Sequence, residues 1–136
     1  NSITEARVAV EVAKDLGLPC WASFVPDERG LLFTGETLAA AVATLEPLGV
    51  DALLLNCAPP DDITSAMKKL AARAQVPIGA YAHIGRFDPP EWMFTDEYPP
   101  PKYVEVASGW KQMGARILGG CCGTTPDHIT ALGALR

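Results

Sequence analysis

Apolar residues in this chain alternate between two rhythms. Ile3, Ala6, Val10 and Ala13 recur at helical spacing, and residues 20–25 then form a mostly apolar run of strand length. Ser2 and Glu5 stand as a capping box before the first helix, and Gly17 followed by Pro19 marks its end. The pattern repeats. Residues 37–45 read as a helix with Leu38, Ala41, Val42 and Leu45 on one face, and residues 50–57 as a strand. Pro59 and Pro60 break the chain, and Asp61 or Asp62 is expected to cap a helix carrying Ile63, Met67, Leu70 and Ala74. Residues 76–83 read as a third strand, and residues 86–102 as a long proline-rich loop. Tyr103, Val106, Trp110 and Met113 form another helical stripe, residues 115–120 a fourth strand, and residues 126–135 a last helix with Thr125 as N-cap and Pro126 at its first position.

Helix and strand thus alternate four times before a final helix. Strands that read as near-continuous apolar runs are expected to be buried on both faces, the mark of parallel strands wrapped by helices. The expectation is an α/β fold, as an open sheet or part of a closed barrel. No glycine-rich dinucleotide fingerprint follows any strand, and Gly119-Gly120-Cys121-Cys122-Gly123-Thr124-Thr125 lacks the lysine of a phosphate loop. Trp21, Phe24 and Trp110 are assigned to the core.

Composition narrows the function classes. The 136 residues suffice for one domain, with 49% hydrophobic and 20% charged positions. A net charge of -5 without a basic stripe argues against nucleic acid and against anionic membrane surfaces as partners. No apolar run reaches the roughly 18 residues of a membrane span, and no signal-peptide pattern is present. Two of the four cysteines are adjacent, which does not suit a secreted disulfide framework. The reading is a cytoplasmic protein with reduced thiols.

In parallel α/β folds the C-terminal strand ends share one rim, where ligands bind. Cys57 ends the second strand, and Cys121 and Cys122 end the fourth. Cys20 begins the first strand, more than about 12 Å from that rim at ~3.3 Å per residue, and reads as a small core residue. The glycines around Cys121 and Cys122 free the backbone to turn both sulfurs toward one point. Three thiolates suit Zn²⁺, and three protein ligands leave a fourth position open, as in catalytic sites. From spacing alone two other readings stand: Cys57 as an ordinary core residue, and Cys121–Cys122 as a vicinal redox pair.

The stretches Leu53-Leu54-Leu55-Asn56-Cys57-Ala58-Pro59-Pro60 and Ala115-Arg116-Ile117-Leu118-Gly119-Gly120-Cys121-Cys122-Gly123-Thr124-Thr125-Pro126-Asp127-His128-Ile129 resemble the zinc- and homocysteine-binding domain of the homocysteine S-methyltransferase family. The resemblance implies a (β/α)₈ TIM barrel of which this chain is the C-terminal half: strands five to eight, about four parallel strands alternating with helices. It implies Zn²⁺ as cofactor, held by Cys57, Cys121 and Cys122. It implies transfer of a methyl group from an activated donor to the thiol of homocysteine, giving methionine. Residues 1–136 would form one partial barrel domain. The N-terminal half would be absent, together with the acidic residue at the end of strand four that holds the substrate amine in this family. The isolated chain is therefore expected to be inactive, a zinc-binding half-barrel without turnover, and to self-associate or pair with the missing half.

Among the remaining rim residues, Asn56 is a candidate to orient Cys57 or touch substrate, and Ser23 to line the pocket. His83 is a candidate substrate contact or a plain loop residue; His83-Ile84-Gly85 departs from the Asn-small-Gly pattern frequent in the family. His128 reads as exposed and silent. The 86–102 loop, with Trp92, Phe94 and Tyr98, reads as an aromatic lid or a clamp over the barrel mouth.

Overall fold

Ser2 Oγ accepts the Glu5 N–H at 3.2 Å and a Glu5 carboxylate oxygen accepts the Ser2 N–H at 3.2 Å, so the capping box opens helix α1 (Ile3–Asp15). This computed structural model describes residues 2–93 and 97–135. Phe94 lies outside the described residues, as does the side chain of Trp92. After α1 come β1 (Trp21–Phe24), α2 (Leu38–Leu45), β2 (Ala52–Asn56), α3 (Pro60–Ala71), β3 (Ile78–Tyr81), β4 (Arg86–Asp88), β5 (Glu91–Met93), α4 (Pro100–Gln112), β6 (Ala115–Leu118) and α5 (Pro126–Leu132).

Four strands form one parallel sheet in the order β1-β2-β3-β6. Strands and helices alternate along the chain, the α/β arrangement that the apolar rhythm predicts. Three features differ from the sequence reading. Pro59, not an aspartate, precedes the first helical residue of α3; Pro60 needs no N–H there, and Asp61 and Asp62 sit in the first turn. The 86–102 loop contains an antiparallel hairpin, β4 with β5, around a cis Pro89–Pro90 peptide. Trp21 is 59% exposed, not core, because it lies on the face of edge strand β1 opposite buried Ala22 and Phe24, a face that no helix among the described residues covers.

The core lies between the sheet and its helices. Leu53, Leu55, Ile63, Met67, Tyr103 and Trp110 are fully buried there, and Phe24 nearly so. Trp110 Nε1 donates to Thr64 Oγ1 at 2.8 Å, and the ring meets Tyr103 edge-to-face at 5.9 Å. The other sheet face carries Trp21, Ser23, Leu54 and Tyr81, which line an open hollow of about 290 Å³ with Ile117. No helix among the described residues is long and apolar enough to cross a membrane.

Asp51 joins the base of the sheet to α1. Its Oδ2 accepts the Cys20 N–H at 2.7 Å and faces Lys14 Nζ at 3.1 Å. The Cys20 amide, then Lys14, hold this carboxyl below its ordinary value. A depressed folded-state pKa contributes stability above the unfolded value, about 3.9, and loses it as pH falls through the folded one. Urea unfolding midpoints should therefore fall more steeply on acidification below about pH 4 in the parent chain than in Asp51→Asn. Parallel slopes would show that Asp51 carries no such linkage.

Candidate metal centre

β3 carries no cysteine, yet it sets the positions of two. Its Tyr81 carbonyl accepts the Cys57 N–H at 3.2 Å, and the next carbonyl, Ala82, accepts the Cys121 N–H at 3.0 Å. Successive carbonyls of a strand point to opposite neighbours, so β2 delivers Cys57 from one side and β6 delivers Cys121 from the other. Ile84 N–H donates to Cys122 O at 2.9 Å and closes the ladder beyond the vicinal pair.

Backbone conformation then turns the sulfurs inward. Cys57 has φ 49°, a left-handed value for a residue with a Cβ. Such a residue costs about 1–3 kcal/mol and persists where its surroundings over-determine it. The turn ends the strand alternation and brings Cys57 toward the Cys121–Cys122 loop. Gly120 permits the loop to fold tightly: an added Cβ there would stand 2.7 Å from Thr124 Cβ. Thr124 Oγ1 donates to Cys121 O at 2.7 Å and holds that turn.

The resulting geometry is compact. Cys122 Sγ lies 3.8 Å from Cys57 Sγ and 3.8 Å from Cys121 Sγ. Cys57 and Cys121 stand in disulfide contact, with Cα atoms 5.8 Å apart. All three sulfurs lie within 4.8 Å of one another, and among the described residues this is the one group of three or more His, Cys, Asp or Glu able to hold a metal. A tetrahedral centre with zinc–sulfur bonds of about 2.3 Å has sulfurs about 3.8 Å apart along each edge. Two of the three edges already have that length, and with the Cys57–Cys121 pair reduced the three thiolates suit a soft divalent ion. The adjacent Cys121 and Cys122 sulfurs are not bonded to each other, contrary to a vicinal disulfide. Cys20 is half-buried at the opposite end of β1, its amide bound to Asp51.

Ser23 and Asn56 are joined by a relay that includes a residue the sequence reading missed. Tyr81 O–H donates to Ser23 Oγ at 2.7 Å, and Ser23 O–H donates to Asn56 Oδ1 at 2.7 Å. The chain of donors fixes Asn56 Oδ1 as an acceptor and leaves its Nδ2 hydrogens as the outward donor end, one residue from Cys57. Asn56 and Tyr81 are register partners across β2 and β3. A tyrosine two positions before His83 in an apolar strand was the available signal.

His83 is 7% exposed, and its N–H donates to Ala58 O at 3.2 Å. Burial pushes the imidazole below its ordinary value, partly opposed by Asp62. His128 is buried, not exposed. Its Nδ1 accepts the Thr125 N–H at 3.1 Å, so Nε2 holds the proton and donates to Tyr98 O at 2.9 Å. A histidine at the third position of α5 thus plays the part of glutamate in a capping box, which its polar character alone did not reveal. Tyr98, from the segment read as a lid or a clamp, is half-buried and stands under Lys102 Nζ at 4.5 Å from its ring centre.

Comparison with known proteins bears on this arrangement. The family model described as homocysteine S-methyltransferase matches residues 1–135. The chain is 34% identical over 121 residues to methionine synthase of Mycobacterium leprae, covering 86% of this chain and 10% of that protein. It is 32% identical over 136 residues to homocysteine S-methyltransferase YbgG of Bacillus subtilis, covering 97% of this chain and 43% of that protein. Its fold matches the crystal structure of the homocysteine methyltransferase MmuM of Escherichia coli in metallated form, with TM-score 0.80 and 27% identity, over 99% of this chain and 42% of that one. The oxidised form of the same enzyme matches with TM-score 0.81 and 28% identity, over 99% of this chain and 42% of that chain. The chain spans less than half the length of these proteins.

Proposed function

The chain belongs to the homocysteine S-methyltransferase family, and from that premise we propose that it forms the zinc-binding part of an enzyme that transfers a methyl group from an activated donor to homocysteine, giving methionine. The observation that carries the reading is the sulfur trio, with Cys122 at tetrahedral-edge distance, 3.8 Å, from both Cys57 and Cys121. Cys57, Cys121 and Cys122 would hold Zn²⁺ and leave one corner for the substrate thiol. When bound, the ion supplies the proton loss that a free thiol, with pKa about 8.5, largely lacks at neutral pH. Three thiolates around a divalent ion leave the centre with net negative charge, which keeps an incoming sulfur electron-rich. Asn56, held by Ser23 and Tyr81, would offer its amide donors to the substrate's polar end, and His83 would stand at the adjoining strand end.

Residues 1–136 would be strands five to eight of a (β/α)₈ barrel. The similar proteins are more than twice as long, and β1 and β6 each have a single neighbour in this sheet. Val8 and Val12 on α1, and Leu16 at its C-cap, expose apolar surface four residues apart. An N-terminal half-barrel, or a second copy, would cover these edges. Sedimentation of the isolated chain should show concentration-dependent association; a stable monomer at all concentrations would refute the self-pairing. Thiols kept for metal binding suit a reducing compartment, the cytoplasm.

The test begins with reduced, metal-free chain titrated with Zn²⁺. Binding near one equivalent supports the metal assignment, and no binding overturns it. Methyl transfer to homocysteine is then assayed with a panel of methyl donors. The isolated chain is expected to bind metal without turning over, and robust turnover by these 136 residues alone would overturn that expectation.

A further inference from the structure

Tyr103 is completely buried, with no exposed surface, and its hydroxyl reaches the two strand ends that frame the cysteine loop. The oxygen lies 2.9 Å from Gly119 O at the end of β6 and 3.2 Å from Ala82 O just beyond β3. Neither carbonyl can donate, so the single phenolic proton is shared between them. Burial pushes the phenol well above its ordinary value, which keeps that proton in place. The Ala82 carbonyl is also the acceptor of the Cys121 amide at 3.0 Å. One oxygen therefore receives the amide of a candidate ligand and the hydroxyl of Tyr103.

The phenol is itself fixed on both sides. Trp110 meets the ring edge-to-face at 5.9 Å and His128 at 5.7 Å. His128 in turn is bound to Thr125, which follows the Gly123-Thr124 turn, and to Tyr98. The only polar atom of this side chain is aimed at the crease where β6 leaves the sheet.

We propose that Tyr103 is a positioning residue for the sulfur centre: its hydroxyl ties the ends of β3 and β6 together and so sets where Cys121 and Cys122 stand relative to Cys57. The proposal rests on the metal reading given above. Groups that orient metal ligands from behind are typically worth about 10–100-fold in metal affinity. Phenylalanine keeps the ring and its packing but leaves two buried carbonyls without that donor.

The test uses the reduced chain with Co²⁺ or Zn²⁺ alone as probe, comparing the parent, Tyr103→Phe and Leu45→Ala. Leu45 is fully buried at the end of α2, where its carbonyl accepts the Val50 N–H just before β2, away from the rim; its truncation empties a core site apart from the Tyr103 hydroxyl and both strand ends. Tyr103→Phe should keep its helical circular dichroism, bind Zn²⁺ about tenfold or more weakly, and show shifted thiolate-to-Co²⁺ and ligand-field bands. Leu45→Ala should lose thermal stability with parental bands and affinity. Parental affinity and superimposable Co²⁺ bands in Tyr103→Phe would overturn the proposal. So would equal weakening by both variants, which marks a general loss of stability, or failure of Tyr103→Phe to fold, which assigns the hydroxyl to the fold instead. A parent chain that takes up neither ion sinks the metal reading itself, before any variant is compared.

Discussion

Serine in place of Cys57, Cys121 or Cys122 should each reduce zinc affinity by about two to three orders of magnitude, with little change in the fold. The size follows from the chemistry of the donor set. Structural zinc binding by small peptides is worth about 10–16 kcal/mol, and one of several ligands carries about 3–4 kcal/mol of it, at 1.4 kcal/mol per tenfold. A hydroxyl is a poor substitute because it stays protonated at neutral pH, whereas a zinc-bound thiol ionises outright. The fold should tolerate the change because these side chains lie at the rim and not in the core cluster. Cys20→Ser is the control: it removes a sulfur at the opposite end of β1 and should leave zinc affinity unchanged. Competition with a chelator of known affinity measures all four variants. Full zinc uptake by any of the three rim variants would remove that sulfur from the proposed ligand set.

Trp110→Ala should cost about 4 kcal/mol, the middle of the usual range for emptying a buried tryptophan site. Three losses act together. The indole fills a position with no exposed surface, its N–H donates to Thr64 Oγ1 at 2.8 Å, and its edge supports the Tyr103 ring. A domain of this size is stable by about 5–15 kcal/mol, so this one change could consume most of the margin. The thermal midpoint should drop by roughly 10 °C or more. Thermal and urea unfolding followed by circular dichroism measure it, and a loss below about 1 kcal/mol would show that the site collapses around the gap.

Much of the architecture is legible in the chain because apolar periodicity reports burial directly. The helix carrying Leu38, Ala41, Val42 and Leu45 and the strand through Leu53 and Leu55 lie where their spacing puts them. Periodicity does not say which face of a sheet is covered, and Trp21 is the result: an apolar residue in an apolar run, exposed on an edge strand. His128 fails for a different reason. A histidine at the third helical position can imitate a carboxylate by accepting an N–H at Nδ1, and nothing in its spacing distinguishes that state from an idle surface residue.

The candidate site divides the same way. Glycines flanking adjacent cysteines signal a backbone freed to aim two sulfurs, and strand counting brings Cys57 to the same rim. The left-handed turn at Cys57 and the Tyr81–Ser23–Asn56 relay arise from tertiary pairing across the sheet. Local sequence carries no record of either.

Cys57 and Cys121 hang from neighbouring carbonyls, Tyr81 at the end of β3 and Ala82 just beyond it, while the two cysteines stand 64 positions apart in the chain. Neither arm can find the other until the strand between them is docked on both sides. Non-local closures of this kind come late in folding, because the entropy of ordering the intervening chain must be met first. Tight metal capture would then be a property of the finished sheet and not of any segment, and the moment of uptake during refolding would mark the arrival of β6.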